Sequence, residues 1–167
     1  QQGIAAVLTY LAVYVVMTIG SFVCVLQMRD AEGRPIESIS ALAGLSRSRP
    51  GLSAAFAIFM FSLAGIPPMI GFYAKLSVLQ ALVDTGSTAN LYLAVFAVMM
   101  SLVGAFYYLR VIKVMYFDEP LTAATVSADL DVRVVLSLNG LLVLVLGIVP
   151  GALMALCADA VVRMLAA

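Results

Sequence analysis

Residues 52–83 form one apolar block with a single charged side chain, Lys75, and the block is interrupted near its centre by Gly65-Ile66-Pro67-Pro68. A continuous helix over that range would run about 48 Å, well beyond the roughly 30 Å of a bilayer's hydrocarbon core. Pro67 and Pro68 also lack the backbone N–H that a helix interior needs. Two arrangements satisfy these limits. Either the break is a tight turn between two short spans, or the block crosses once as a discontinuous helix. The second requires that the irregular stretch be buried in protein or line a polar cavity, because lipid offers no hydrogen bonds to loose backbone.

Three further apolar blocks, 4–28, 91–115 and 132–150, have transmembrane length, and the first is free of charge. A tail, 151–167, carries Asp159 and Arg163 and either extends the last helix or lies at the membrane interface. Hydrophobic residues make up 64% of the chain and charged residues 11%, with a mean hydropathy of +1.13. Soluble domains hold about 45–50% apolar and about 25% charged residues. The expected fold is therefore all-α: a polytopic transmembrane helix bundle of about four spans, one of them discontinuous. A net charge of zero excludes a basic field for nucleic acid. With no His, and only Cys24 and Cys157 as thiols, zinc fingers, His-ligated haem and disulfide frameworks are excluded. No phosphate-binding glycine loop follows a strand, so no nucleotide site is visible. The chain starts at Gln1 and enters an apolar run at once, which leads us to expect a further portion upstream.

Charge bias chooses between the two arrangements. If the block crosses once, the connections 29–50 and 110–133 share a side that holds Arg29, Arg34, Arg47, Arg49, Arg110, Lys113 and Arg133, while 84–90 has no Lys or Arg. The positive-inside rule makes that side cytoplasmic. A hairpin would divide the basic residues between both sides and leave two pieces of about 15 residues, short for a span. The single broken helix is the expected form, with the C-terminus on the outer side.

Lys75 precedes Asp84 by nine residues, which places it about 13–14 Å along the axis and close to the midplane. That is too deep for its ammonium to snorkel comfortably to either interface. A charge at this depth costs on the order of 2.5–3.5 kcal/mol on insertion scales, and such residues usually mark ion or proton paths. The competing reading is an inert strut that joins helices through an ion pair. Freed carbonyls and half-helix ends beside a break are how transporters build ion sites. Gly65, Ile66, Pro67 and Pro68 lie about two turns before Lys75, and Gly71 sits four residues before it on the same helical face. This conjunction makes Lys75 the candidate proton relay. Tyr10, Tyr14 and Thr18 in the first span and Tyr107 and Tyr108 in the third are candidate water-wire hydroxyls. Thr9, Ser21 and Ser101 are also in these spans. For all of them helix bridging or interface anchoring is the commoner use.

Residues 61–75 (FSLAGIPPMIGFYAK) resemble the broken-helix segment of the antiporter-like, Mrp-related membrane subunits of respiratory complex I, and 105–116 (AFYYLRVIKVMY) resemble the span that follows it. The stretches 8–22 and 44–50 also fit. Lys75 followed by Leu76, together with Tyr107-Tyr108-Leu109-Arg110, favours the subunit N branch over its L and M sisters. The resemblance implies a fold of about fourteen spans in two inverted repeats, of which this chain is the C-terminal four. It makes Lys75 the lysine of the discontinuous helix near the outer half-channel. The family's remaining path residues, a glutamate and two lysines, belong to earlier helices.

The implied function is proton translocation coupled to quinone reduction, within NADH:quinone oxidoreductase. The implied setting is a bacterial inner membrane, with 29–50 and 118–131 cytoplasmic. Flavin, iron–sulfur clusters and quinone would reside in partner subunits, and no cofactor is expected in this chain. Expected partners are the other membrane subunits, including neighbouring antiporter-like ones, and the lipid bilayer. Two alternatives compete: a subunit of a multisubunit cation/proton antiporter or membrane-bound hydrogenase, and a structural membrane scaffold in which Lys75 makes one fixed ion pair.

Overall fold

The computed structural model of the chain describes residues 2–29, 33–36, 38–120, 125–126 and 130–166. Among these, the helices are α1 (Gln2–Leu26), α2 (Leu45–Ser48), α3 (Pro50–Ala64), α4 (Ile70–Val83), α5 (Thr88–Phe117), α6 (Leu130–Ile148) and α7 (Gly151–Ala166). A 3-10 turn, Ile39–Leu42, precedes α2, and two short strands, β1 (Met28–Arg29) and β2 (Thr125–Val126), pair antiparallel. Within the connection 118–131, residues 121–124 and 127–129 lie outside the described set, as does the side chain of Arg133.

In α1 the buried residues are Ala6, Thr9, Val13, Met17, Gly20, Ser21 and Cys24, a spacing of three and four that lays them along one face. The opposite face exposes Leu8, Leu11, Val15, Ile19, Phe22 and Leu26. In a soluble helix that face would be polar; here it is as apolar as the buried one. α5 goes further, with Leu91, Phe96, Met99, Leu102, Val103 and Phe106 all exposed. Both helices are long and apolar enough to cross a membrane.

α3 and α4, at 15 and 14 residues, are each shorter than the about 20 residues a crossing needs. Their ends lie at opposite ends of α1. Gln2 Nε2 donates to Asp84 Oδ2 at 3.0 Å, which sets the start of α1 beside the end of α4. At the other end, Met28 pairs with Val126 and Arg29 with Thr125, which joins the end of α1 to the chain that follows α5. A Cβ on Gly44 would meet Pro120 at 2.8 Å, so the connection before α3 reaches that end too. The pair α3–α4 therefore traverses the length of α1 once, as two half-helices with a break between them, and α5 runs back beside them. Pro50 opens α3 at its first position, where a missing N–H costs nothing.

Glycines set the closest approaches. Phe59, fully buried on α3, packs against Gly20 of α1, where a Cβ would come within 2.5 Å of the ring. A Cβ on Gly147 of α6 would run into the backbone of the break, meeting the Pro68 carbonyl oxygen and lying 2.8 Å from Ile70 N and 3.0 Å from Met69 Cα. α7 does not extend α6: the two are bent by 85° at Pro150 and Gly151. α7 instead packs towards α1, and with α1 and α4 it borders a cavity of about 500 Å³ lined by Gln2, Thr9, Ser77, Gln80, Ala158 and Val161.

The backbone around the break cannot retreat as a flexible side chain would. Gly147→Ala is therefore expected to destabilise by about 1–3 kcal/mol, read as a lowered thermal unfolding midpoint in detergent. Gly104→Ala is the control, because a Cβ there meets nothing within 4 Å, and it is expected to leave the midpoint unchanged or raise it.

Candidate functional site

Where α3 ends, the Phe61 carbonyl keeps its helical partner, the Gly65 N–H at 3.1 Å, and the carbonyls of Ser62, Leu63 and Ala64 lose theirs. Gly65, at φ +83°, takes the left-handed conformation that glycine tolerates best. The turn it makes satisfies one of the three: the Gly65 N–H donates also to the Ser62 carbonyl at 3.0 Å, while the Ile66 N–H adds a second bond to the Phe61 carbonyl at 3.1 Å. The other two carbonyls, Leu63 and Ala64, accept hydrogen bonds from Lys75 Nζ at 2.9 and 3.2 Å. The third donor of Nζ goes to Ser101 Oγ on α5 at 3.0 Å. Three ammonium donors thus meet three neutral acceptors.

Lys75 belongs to the second turn of α4, and helical side chains lean towards the N-terminus. That lean carries Nζ back across the break to the end of α3, where the helix dipole concentrates partial negative charge. Among the described residues Lys75 makes no ion pair. Room for the side chain comes from Gly65, where a Cβ would lie 3.1 Å from Lys75 Cδ and 3.2 Å from Nζ.

The start of α4 is joined to α3 as well. The Gly71 N–H, one of the donors left over at a helix start, bonds to the buried Ser62 Oγ at 3.1 Å. A Cβ on Gly71 would run into the Ser62 carbonyl oxygen. Gly71 thus serves the packing of one half-helix against the other. Ile66 is half-buried, while Pro67 and Pro68 are exposed and joined by a cis peptide bond.

The candidate hydroxyls divide. Tyr14, Thr18 and Tyr108 line a cleft of about 300 Å³ between α1, α3 and α5. Leu63, whose carbonyl holds Lys75, lines it too. Tyr10 stacks on Tyr14 with ring centroids 6.1 Å apart. Tyr107 is 58% exposed, sits edge-on to Phe106 and is not among the cleft's lining residues. Thr9 and Ser21 donate to the carbonyls of Ala5 and Met17 within α1. Cys24 and Cys157 are buried free thiols. Among the described residues no three side chains of metal-ligating type come together.

Two residues at the site, Ser62 and Gly147, were not named from sequence, and a third, Ser101, was named only as one hydroxyl of the third span with no tie to Lys75. Ser101 is the one with a usable signal, since an antiparallel α5 brings a residue that far into its helix to roughly the depth of Lys75. For Ser62, nine residues before Gly71 across an irregular stretch, no periodicity applies.

Residues 1–101 match the family described as NADH:quinone oxidoreductase/Mrp antiporter, TM. Among curated proteins, the chain is 59% identical over 122 residues to NADH-quinone oxidoreductase subunit N of Rhizorhabdus wittichii, covering 73% of this chain and 25% of that protein. It is 51% identical over 163 residues to the protein of the same name from Polaromonas naphthalenivorans, covering 96% and 32%. The chain therefore spans about a quarter to a third of the length of these relatives. Among solved structures, respiratory complex I from Thermus thermophilus matches with a TM-score of 0.76 at 30% identity, over 91% of this chain and 34% of the matched one. The Mrp complex from a Dietzia species matches with a TM-score of 0.74 at 22% identity, over 92% and 36%, a likeness of fold.

Ser62→Ala is expected to leave the Gly71 N–H unpaired in an apolar surrounding, at a cost of about 1–3 kcal/mol. Hydrogen–deuterium exchange should accelerate at Gly71 while the middle of α1 stays protected; unchanged protection at Gly71 would show that the Ser62 hydroxyl does not hold the two halves together.

Proposed function

The chain belongs to the NADH:quinone oxidoreductase/Mrp antiporter transmembrane family, and from that premise we propose that it is the C-terminal part of an N-type membrane-arm subunit of NADH:quinone oxidoreductase, with Lys75 as a proton relay. The observation that carries the reading is the way Lys75 is held: three neutral acceptors, two of them the last carbonyls of a half-helix, and no carboxylate partner among the described residues. Discharging one member of a buried ion pair strands the other charge, at several kcal/mol. A lysine held by carbonyl dipoles and a hydroxyl strands nothing when it gives up its proton. This favours a relay over the strut that a fixed ion pair would make.

The break supplies the rest. Ending α3 inside the bundle creates the carbonyl pair, and starting α4 beside it carries the lysine that binds them. The cleft lined by Tyr14, Thr18 and Tyr108 comes up to Leu63 and offers an approach for water on the side of α3. In this reading, quinone reduction in other subunits alters the electrostatic field along the membrane arm, and Lys75 responds by exchanging its proton. Flavin, iron–sulfur clusters and quinone then belong to those partner subunits, and the neighbours of this chain are further antiporter-like subunits and lipid. The basic end, with Arg29, Arg34, Arg47 and Arg49, faces the cytoplasm of a bacterium, which sets the protein in the inner membrane. A cation/proton antiporter of the Mrp type shares the fold, but relatives carrying the quinone oxidoreductase name reach 46–59% identity, which favours the first assignment.

In assembled complex reconstituted into vesicles, Lys75→Met is expected to cut NADH-driven proton translocation to less than about a tenth, roughly the loss of one strong charge-assisted contact. Lys75→Arg is expected to fail likewise, because a guanidinium keeps its charge but does not readily deprotonate. Normal translocation by an assembled Lys75→Met complex would rule the relay out. Sodium-dependent exchange without NADH oxidation would move the assignment to the antiporter.

A further inference from the structure

A lysine that carries a proton must be accommodated both with it and without it. This inference rests on the relay reading above and concerns the second state. The ammonium offers three N–H groups, matched by the Leu63 carbonyl, the Ala64 carbonyl and Ser101 Oγ. The neutral amine keeps two N–H groups and gains a lone pair. Its two donors still match the two carbonyls, which can only accept. The third direction then presents a lone pair, and of the three partners only a hydroxyl can turn to face it with a donor.

Ser101 is free to make that turn. Thr9, Ser21, Ser53 and Ser77 each donate to a carbonyl three or four residues earlier in their own helices, the usual fate of a hydroxyl in an apolar helix. Ser101 makes no such bond; among the described residues its hydrogen bond is the one to Lys75. No charged side chain of α1 or α3 is available for the role, since neither helix contains one.

We propose that Ser101 is a positioning residue that reverses its hydrogen bond with the charge state of Lys75, accepting from the ammonium and donating to the amine. In the step itself one N–H bond of the ammonium breaks and its electron pair stays on Nζ. The proton passes to a water molecule, and the Ser101 O–H rotates to meet the lone pair. Nζ and its three partners then each keep a hydrogen bond in both states. A carbonyl or carboxylate in place of Ser101 would set lone pair against lone pair in the neutral state, and a methyl would leave each state one hydrogen bond short.

The test uses the assembled complex in vesicles and compares proton translocation per complex for Ser101→Ala, Ser101→Thr and Lys75→Met. Ser101→Ala is expected to slow translocation about tenfold, the weight of a hydrogen bond to a charged group, and Ser101→Thr, which keeps the hydroxyl, to stay within about twofold of the parent. If Ser101→Ala only lowers the thermal unfolding midpoint while translocation per complex equals the parent's, Ser101 is a bridge between α4 and α5 and the proposal falls. A threonine variant as slow as the alanine one also overturns it. Should the alanine variant not assemble, Ser101→Cys places a weak donor and acceptor at the same point; an intermediate rate supports the proposal and a parental rate overturns it. Normal translocation by Lys75→Met removes the relay reading itself. An inactive Lys75→Met beside a fully active Ser101→Ala removes only the role of Ser101.

Discussion

A helix that stops inside a membrane leaves carbonyls with no water to turn to, and this constraint organises the structure. Each unsatisfied carbonyl in an apolar surrounding costs several kcal/mol. α3 ends with three. One is closed by the left-handed turn at Gly65 and two by the Lys75 ammonium. The lysine and the break each answer the other's problem: an ammonium at that depth needs acceptors, and a truncated helix needs donors. The chemistry of the site follows from this mutual dependence, since the group that completes the backbone is also the group that can exchange a proton.

Holding the two half-helices together falls to small residues. Ser62 uses its carbonyl for Gly65 and its hydroxyl for Gly71. Gly71 and Gly147 allow backbone to touch backbone from two directions. Lipid supplies no hydrophobic force to press helices together, so close van der Waals approach and hydrogen bonds carry the load. The exposed apolar flanks of α1 and α5 are consistent with that setting.

Much of the fold was legible because the features that encode it are local. Long stretches without charge, two adjacent prolines and a glycine with no competing helical signal define where helices run and where the second apolar block breaks. The all-α membrane class and the family resemblance follow from the same stretches, and the match over residues 1–101 agrees with both. What was not legible depends on register between elements. The meeting of Ser101 with Lys75 requires α5 to run back beside α4 at a particular offset, and the contact of Gly147 with the Pro68 carbonyl requires α6 to end at the level of the break. Neither offset leaves a mark in a single sequence. The candidate hydroxyls illustrate the same limit: Tyr107 and Tyr108 are neighbours in sequence, yet the 100° step of a helix sends one to the cleft and the other outward. The tail left two courses open, and the structure turns it by 85° away from the axis of α6.

Gly147 touches the broken segment through main-chain atoms: the Pro68 carbonyl, the Met69 Cα and the Ile70 nitrogen. A contact of this kind is indifferent to which side chains the segment carries. It guides the path of the chain and leaves its spelling open. The side chain of Ile70 is held by its own burial in the core, a separate constraint, whereas at position 147 a single added carbon alters the path on which Lys75 depends. One demanding position of the site is thus a glycine on another helix, outside the stretch that identifies the motif.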